Sequence, residues 1–247
     1  MKIYYVTQKN NNAEELGAAF SKTIKLVKSD RNIKTITFLC EQKSNLNELA
    51  VLGFSKKAIA EDTLVTEDGY HIQFRSVKTY KPNYLFAGDK PSEILIAVGV
   101  SADILSRYED YTELAYWVVI PQNIEAYNSF FSIWEAEDTE SSLLCSPPSK
   151  IDDRIANAID WLKHTSFPNQ GYSHPLDEER LKNAAVTLKR MGINVVYDQV
   201  VYHCLHNGFR PSAARKTAEY FVRAQTHRMV LRDKDTSLKR RFNMPRE

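Results

Sequence analysis

Residues 93–100 read EILIAVGV and residues 114–120 read LAYWVVI, and these two apolar stretches decide the fold. Each has the length of a strand and an apolar side chain at nearly every position, which is typical of a sheet covered by helices on both faces. Ser101 follows the first stretch and is predicted to begin a helix, while Pro121 is predicted to end the second strand.

The sequence before residue 93 continues the alternation of strands and helices. We predict strands at residues 2–7 and 35–40 from their β-branched and apolar residues. A helix is predicted at residues 12–28, with Asn12 as its N-cap, because apolar side chains recur there at helical spacing.

Residues 63–76 depart from this pattern. Asp68-Gly69 is a dipeptide typical of tight hairpin turns. After it, Tyr70, Ile72 and Phe74 alternate with polar residues, as in a half-buried antiparallel strand. The order of elements therefore predicts an α/β fold, with a mostly parallel Rossmann-like sheet and an inserted β-hairpin.

The second part of the chain reads as helical throughout. Residues 135–149 are acidic and then rich in serine and proline, so we predict a linker there and an α/β domain at residues 1–145. An all-α helical domain follows at residues 150–232, and residues 233–247 are predicted to form a charged, frayed tail. A short turn at residues 207–210 separates two predicted helices, as in a helix-turn-helix motif.

The composition restricts the class of protein. No apolar run approaches the roughly 18 residues of a membrane span, so we predict no membrane partner. Cys40, Cys145 and Cys204 have neither zinc-site spacing nor an even count, and a cytoplasmic protein is predicted. Residues 1–150 hold 16 Lys and Arg against 20 Asp and Glu, whereas residues 151–247 hold 17 against 11. The basic second half predicts an anionic partner.

Polar side chains follow several predicted strands at the point where each strand ends. Ligands of parallel α/β sheets bind beyond these carboxyl ends. The predicted ligand-binding rim consists of Gln8, Lys9, Glu41, Lys43, Ser44, Ser101 and Gln122. The alternative is that these residues are only helix caps and solvated loops. Neither a GxGxxG nor a Walker A sequence is present, so the cofactor stays unknown.

Glu41-Gln42-Lys43, at the end of a predicted strand, resembles the ExK element of PD-(D/E)xK nucleases. The resemblance implies a carboxylate that holds a hard metal ion and a lysine that supports the attacking water. In that family the preceding acidic residue lies on an adjoining strand, whereas Asp30 lies in the turn after a predicted helix. We therefore assign no catalytic role to these residues and expect a solvated strand end.

His203 and His206 are three residues apart on a predicted helix, close enough to share a metal ion. A second Cys/His cluster at zinc-like spacing is missing from the sequence. Histidines in a last helical turn also complement the negative end of the helix dipole. We therefore predict no metal site here and place Cys204 in the core.

Basic residues recur on the second helix of the predicted helix-turn-helix motif and after it. The candidate nucleic-acid-binding residues are Ser212, Arg215, Lys216, Arg223 and Arg228. Such side chains contact phosphates, so DNA or RNA is one predicted partner. The alternative is a plain helical bundle whose basic face is solvated or meets an acidic protein.

The sequence contains no complete catalytic constellation and leaves open whether the chain is an enzyme. The leading hypothesis is a non-enzymatic adaptor or regulatory protein whose basic helical half binds nucleic acid or a partner protein. The alternative is a metal-dependent hydrolase or nuclease with its site at the rim around Glu41.

Overall fold

The computed structural model describes residues 1–9, 11–82, 90–111, 114–231 and 235–245. The chain divides into two compact units, Met1–Ser146 and Pro147–Glu247. The first combines a sheet with helices, and the second is helical. The prediction of an α/β fold with a mostly parallel sheet is confirmed. Residues 232–234, where the sequence places the boundary between helical domain and tail, lie outside the described residues.

One sheet forms the centre of the first unit. Its strands, among the described residues, are β1 (Lys2–Tyr5), β2 (Thr35–Cys40), β3 (Thr63–Val65), β4 (His71–Ser76), β5 (Glu93–Val98), β6 (Leu114–Ile120) and β7 (Glu137–Asp138). Their order is β3-β4-β2-β5-β6-β1-β7, and every pairing is parallel except that of β3 with β4. Gly69, in the turn between β3 and β4, has a φ of +82°, a left-handed value that favours glycine.

Helices connect the strands of this unit. They are α1 (Asn12–Ser29), a 3-10 helix at Lys43–Leu52, α2 (Lys56–Ala60), α3 (Ala102–Leu105), a 3-10 helix at Ile124–Tyr127 and α4 (Asn128–Ile133). The N-cap of α1 is Asn11 and not the predicted Asn12, because Asn11 Oδ1 accepts a hydrogen bond from Glu14 N at 3.0 Å.

The connections after β1 and β2 cover one face of the sheet, and those after β5 and β6 cover the other. On the first face, Leu16 of α1 and Leu46 of the first 3-10 helix belong to one apolar cluster with Phe38. On the second face, Leu105 of α3 belongs to a cluster with Trp117. The connections that leave the neighbouring strands β2 and β5 therefore cover opposite faces of the sheet, and so do those that leave β6 and β1. Ligands of α/β sheets bind at such positions.

The predicted linker at residues 135–149 is wrong in its first part, because β7 adds to the sheet beside β1. Glu137 forms ion pairs with Lys2 at 2.7 Å and with Lys22 at 3.0 Å. Asp138 is only 4% exposed. Two acidic residues carry no apolar pattern that indicates a strand, and contacts distant in sequence hold them in the sheet.

The second unit is built from helices. They are α5 (Asp153–Thr165), a 3-10 helix at Pro168–Gln170, α6 (Pro175–Arg190), α7 (Tyr197–His206), α8 (Pro211–Thr226) and α9 (Leu238–Phe242). The four longest helices bury large apolar side chains between them, among them Ile159, Leu181, Val201 and Phe221. In the described part of the chain, none of the helices combines the length and the apolar composition needed to cross a bilayer.

The prediction of a frayed tail at residues 233–247 is wrong for residues 235–245, because α9 packs onto the helical unit. Leu238 and Phe242 are fully buried, and the ring of Phe242 meets that of Trp161 at 6.1 Å between centroids. The side-chain amide of Asn157 donates to the carbonyl of Phe242 at 2.9 Å. An apolar pair at i and i+4 therefore anchors a segment that otherwise reads as basic and solvated.

Candidate functional site

A cavity of about 400 Å³ lies at the carboxyl edge of the sheet, where β1, β5 and β6 end. Its volume is in the range of small-molecule sites. The residues that line it are Gln8, Lys9, Asn11, Asn12, Glu15, Leu16, Asn45, Glu48, Val98, Gly99, Ile120, Pro121 and Gln122. We call this cavity the strand-end pocket. It adjoins the position where the chain changes face between β6 and β1.

The segment after β1 is held in place by polar contacts at its end. Lys9 N donates to Glu15 Oε1 at 2.8 Å, and the Lys9 ammonium forms an ion pair with Glu140. This ion pair raises the pKa of Lys9 above its ordinary value. Because the Lys9 ammonium is already paired with Glu140, Lys9 stabilises the wall of the pocket and does not offer an unpaired charge to a ligand.

A buried carboxylate anchors the same segment from below. Thr7 donates its hydroxyl proton to Asp138 Oδ2, and Ser141 donates to Asp138 Oδ1 through its N–H at 2.7 Å and its hydroxyl at 2.8 Å. Burial tends to raise the pKa of Asp138, but these hydrogen bonds outweigh it and the pKa is lowered. Asp138 is therefore an ionised structural acceptor that ties β7 to the end of β1.

The first turn of α1 forms a second wall of the pocket. Glu14 and Glu15 lie in this turn, and Asn12 Nδ2 donates to Glu48 Oε2 at 3.1 Å. Helix N-termini ordinarily favour anions, but two carboxylates in the first turn offset the positive end of the helix dipole. The pocket is therefore poorly suited to a phosphate.

Gly99 and Gln122 form the floor between β5 and β6. Gly99 has a φ of +61°, and a Cβ at this position would stand 3.1 Å from Gln122 Nε2. The missing side chain lets the carboxamide of Gln122 lie across the backbone of Gly99. Gln122 is itself an exposed residue, so its amide can turn toward a ligand.

Carboxamides dominate the polar lining of the strand-end pocket. Five of its described lining residues are Asn or Gln, and each carries both donors and an acceptor. Val98, Ile120 and Pro121 add an apolar side. This combination suits a neutral molecule that presents hydrogen-bond donors and acceptors together with an apolar face.

The predicted rim does not form one site. Gln8, Lys9 and Gln122 line the strand-end pocket, but Glu41, Lys43, Ser44 and Ser101 do not. Glu41 Oε1 accepts a hydrogen bond from Ser101 N at 3.4 Å. Glu41, which follows β2, therefore contacts the start of the short helix α3, which follows the neighbouring strand β5. Ser44 lies on the 3-10 helix and donates to Asn45 Oδ1 at 3.4 Å.

The two ExK side chains, Glu41 and Lys43, make separate contacts in the structure. The Lys43 ammonium pairs with Asp62, while Glu41 is engaged with the backbone of α3. Burial raises the pKa of the neighbouring Tyr127 to about 12, and its hydroxyl donates to the carbonyl of Val100. Within the described residues, no group of three or more His, Cys, Asp and Glu side chains is placed to hold a metal ion.

His203, Cys204 and His206 occupy one turn at the end of α7. The ring of His206 packs against Tyr202 at 4.0 Å between centroids, and its Nδ1 lies 2.9 Å from the carbonyl of Tyr202. Cys204 is fully buried, and burial raises the pKa of its thiol well above the ordinary value. The environment of Cys204 is that of a core residue.

The turn between α7 and α8 is covered by the loop that contains the 3-10 helix Pro168–Gln170. Asn169 Nδ2 donates to the carbonyl of Gly208 at 3.0 Å, and Asn169 Oδ1 accepts from Arg210 N at 2.6 Å. Lys216 of α8 donates to the carbonyl of Gly171 at 2.8 Å. DNA-binding helix-turn-helix motifs place the N-terminal residues of their second helix against the bases, but here a loop lies against that half of α8.

The predicted nucleic-acid-binding residues therefore differ in their surroundings. Lys216 is half-buried, and its ammonium lies 5.9 Å from the ring centre of Tyr172. Arg215 is also half-buried, whereas Ser212, Arg223 and Arg228 are exposed. The exposed cations of this set lie toward the C-terminal end of α8 and beyond it.

Sequence reasoning missed most of the residues around the strand-end pocket. Asn11, Glu15, Asn45, Glu48 and Gly99 line it, but polar residues at helix starts read equally well as caps. Gly99, directly after the strand at residues 93–98, was the one signal in the sequence for this pocket. Its left-handed backbone and missing side chain let Gln122, which follows the next strand, approach closely.

In comparisons with known proteins, no protein family, no curated protein sequence and no solved structure gives a significant match to this chain.

Proposed function

We propose that this protein is a non-enzymatic adaptor or regulator with two binding functions. The α/β unit binds a small, neutral, polar molecule in the strand-end pocket. The basic helical unit meets an anionic partner, either a protein or a nucleic acid.

The single observation that carries the proposal is the lining of the strand-end pocket. A cavity of about 400 Å³ with five carboxamides lies at the carboxyl ends of β1, β5 and β6. Among the described lining residues, none is a nucleophile with a neighbouring base, while hydrogen-bonding groups are abundant. These features support recognition more than chemical conversion.

The charges of the lining define the ligand class. Lys9 is paired with Glu140, and Glu15 and Glu48 already accept hydrogen bonds. An anionic ligand would meet these two carboxylates, so the lining disfavours anions, and the choice of a neutral ligand rests on the carboxamides of the lining. Polyhydroxylated or amide-bearing molecules, such as monosaccharides and nucleosides, remain as the best fit.

Isothermal titration calorimetry with ribose, glucose, adenosine and cytidine tests this proposal. Gln122→Leu should weaken binding of any ligand found by at least about tenfold, because a lost hydrogen bond leaves polar groups unpaired. Gln42→Leu is the matched control, since Gln42 is exposed, makes no side-chain capping bond and does not line the pocket. Equal affinity in both variants would contradict the proposed site.

The partner of the helical unit is proposed from its charge. Residues 151–247 carry 17 Lys and Arg against 11 Asp and Glu. Counterion release would make nucleic-acid binding fall steeply with salt. Fluorescence anisotropy with labelled single-stranded RNA and duplex DNA at two salt concentrations tests this possibility, and Arg223→Ala with Arg228→Ala should flatten the salt dependence by up to about two charges.

A metal-dependent hydrolase or nuclease around Glu41 is the alternative function, and no observation favours it. Incubation of DNA and RNA with the protein and Mg²⁺ or Mn²⁺ tests it directly. Cleavage that disappears in Glu41→Gln but persists in Glu48→Gln would replace the adaptor proposal.

We also propose that the two units are separable domains. Pro147, Ser149 and Lys150 are exposed at the start of the second unit, and Lys150 offers a site for trypsin. Early cleavage after Lys150, leaving two folded fragments, is expected. Unfolding of either fragment would mean that the chain forms one cooperative core.

A further inference from the structure

A groove of about 600 Å³ runs beside the C-terminal part of α6 in the helical unit. Its other wall is the segment that follows α8. Lys189 Nζ donates to the carbonyl of His227 at 3.4 Å, and Asp235 N donates to Asn183 Oδ1 at 3.2 Å. These two contacts tie His227 and Asp235 to α6. The groove is lined by Val186, Lys189, Arg190, His227, Arg228, Met229, Val230 and Leu231.

The described lining of this groove is basic. Lys189, Arg190 and Arg228 are exposed cations, and none of the described lining residues is Asp or Glu. Neither Arg190 nor Arg228 forms an ion pair within the residues that the structure describes. Among the described residues, the charges of Arg190 and Arg228 therefore have no ion-pair partner.

Aliphatic side chains line the rest of the groove. Val230 is 79% exposed, the most exposed of the large hydrophobic residues described. Val186, Met229 and Leu231 are half-buried beside it. An apolar patch rimmed by charge is typical of a protein interaction site.

The backbone on the same side is also available. Met229–Leu231 have no regular secondary structure and, in the described part of the chain, take part in no backbone–backbone hydrogen bond. An extended peptide that lies along this segment would meet backbone N–H and C=O groups that no described residue binds, as in recognition by strand addition.

We propose that this groove binds an acidic peptide segment of a partner protein, with an aliphatic anchor residue beside Val230. The inference rests on the proposed role of the helical unit as the partner-binding half. Single-stranded nucleic acids are commonly held by aromatic stacking platforms. Among the described lining residues, His227 is the only one with an aromatic ring, and the apolar side chains are aliphatic. Charge complementarity and aliphatic contact together favour a peptide.

Fluorescence anisotropy with a labelled acidic peptide of about ten residues that carries two leucines tests the proposal. The full-length protein is titrated at about 50 mM salt, where electrostatic attraction is strong. Arg190→Glu with Arg228→Glu should weaken binding by at least about tenfold. Lys239→Glu with Arg240→Glu changes the charge equally, on exposed positions of α9 outside the groove, and should weaken it by less than about threefold.

A second pair of variants tests the apolar contact. Val230→Asp should weaken binding, while Val196→Asp, at a position 44% exposed and outside the groove, should not. Replacement of the two leucines of the peptide by serine should weaken binding to the unaltered protein. Thermal melts of each variant check that the helical unit stays folded.

The proposal is overturned by absence of saturable binding, by equal loss in the two double variants, or by RNA that binds the groove more tightly than the peptide. Self-association that the groove variants abolish would also overturn it, in favour of a second copy. If the peptide does not bind but a ligand binds at the strand-end pocket, the proposed function of the α/β unit stands. If the peptide binds the groove but no ligand binds the strand-end pocket, this inference stands.

Discussion

The side-chain amide of Gln122 lies across the backbone of Gly99, with Nε2 3.1 Å from the place where a Cβ on Gly99 would stand. The contact joins the ends of β5 and β6 at the floor of the strand-end pocket. Gly99 is left-handed, with a φ of +61°. Both the close approach of Gln122 and the left-handed backbone conformation therefore require glycine here.

Gly99→Ala should lower the free energy of unfolding by about 1–2 kcal/mol, because a Cβ is disfavoured in the left-handed region and would displace Gln122. Gly17→Ala is the matched control. Gly17 lies within α1 and has no atom within 4 Å of the added Cβ, so alanine should stabilise the protein by about 0.5–1 kcal/mol. Urea denaturation measures both, and a neutral Gly99→Ala would show that the loop adapts freely.

Asp138→Asn should destabilise the α/β unit by about 1–3 kcal/mol at neutral pH, because charged hydrogen bonds from Thr7 and Ser141 are lost. The pKa of Asp138 is lowered in the folded protein, so its contribution is present in full above the ordinary carboxyl pKa of about 4 and is lost as pH falls below it. The variant should therefore differ most from the unaltered protein at neutral pH and least near about pH 2. Denaturation curves at several pH values measure this.

Asp68→Asn is the control for that experiment, since it removes an exposed turn carboxylate and keeps a residue suited to the turn. A stability difference between Asp138→Asn and the unaltered protein that stays constant down to low pH would show that the carboxylate's charge is not what holds β7.

Lys216→Met should destabilise the helical unit by about 1 kcal/mol, because a charged donor to the carbonyl of Gly171 is lost from a half-buried position. Arg223→Met removes the same charge from an exposed position of α8 and should change stability by less than about 0.5 kcal/mol. Thermal or chemical denaturation compares them. If the two variants were equally stable, the bond from Lys216 to Gly171 would contribute nothing measurable, and Lys216 would behave as a solvated cation.

Phe242→Ala should lower the stability of the helical unit by about 3–5 kcal/mol, because a fully buried ring is removed from its contact with Trp161. Met244→Ala, two residues further on and 55% exposed, is the control. Circular dichroism melts distinguish the two. A small effect of Phe242→Ala would mean that α9 is a dispensable addition.

The central strands could be predicted from the sequence because strands buried on both faces consist of consecutive apolar residues. Thr35–Cys40 and Leu114–Ile120 are found at the predicted positions. β7 could not be predicted, since Glu137 and Asp138 are held by Lys2, Lys22, Thr7 and Ser141 and not by a local pattern.

The candidate site was predictable only in part for the same reason. Strand ends bring Gln8, Lys9 and Gln122 together, and the sequence indicates where strands end. The orientations of the Glu41 and Lys43 side chains depend on their partners in α3 and at Asp62. The positions of these partners are set by tertiary packing and not by a local sequence pattern.

The most direct test of the ligand proposal follows the side-chain amides of the strand-end pocket by NMR. Ribose, glucose, adenosine and cytidine are titrated into ¹⁵N-labelled protein, and the carboxamide signals are assigned by single substitutions. The account predicts that at least one compound shifts the NH₂ signals of Gln8, Asn11, Asn12, Asn45 and Gln122 and leaves those of Gln42 and Gln170 unchanged. Shifts confined to other carboxamides, or none at millimolar concentrations of every compound, would contradict it.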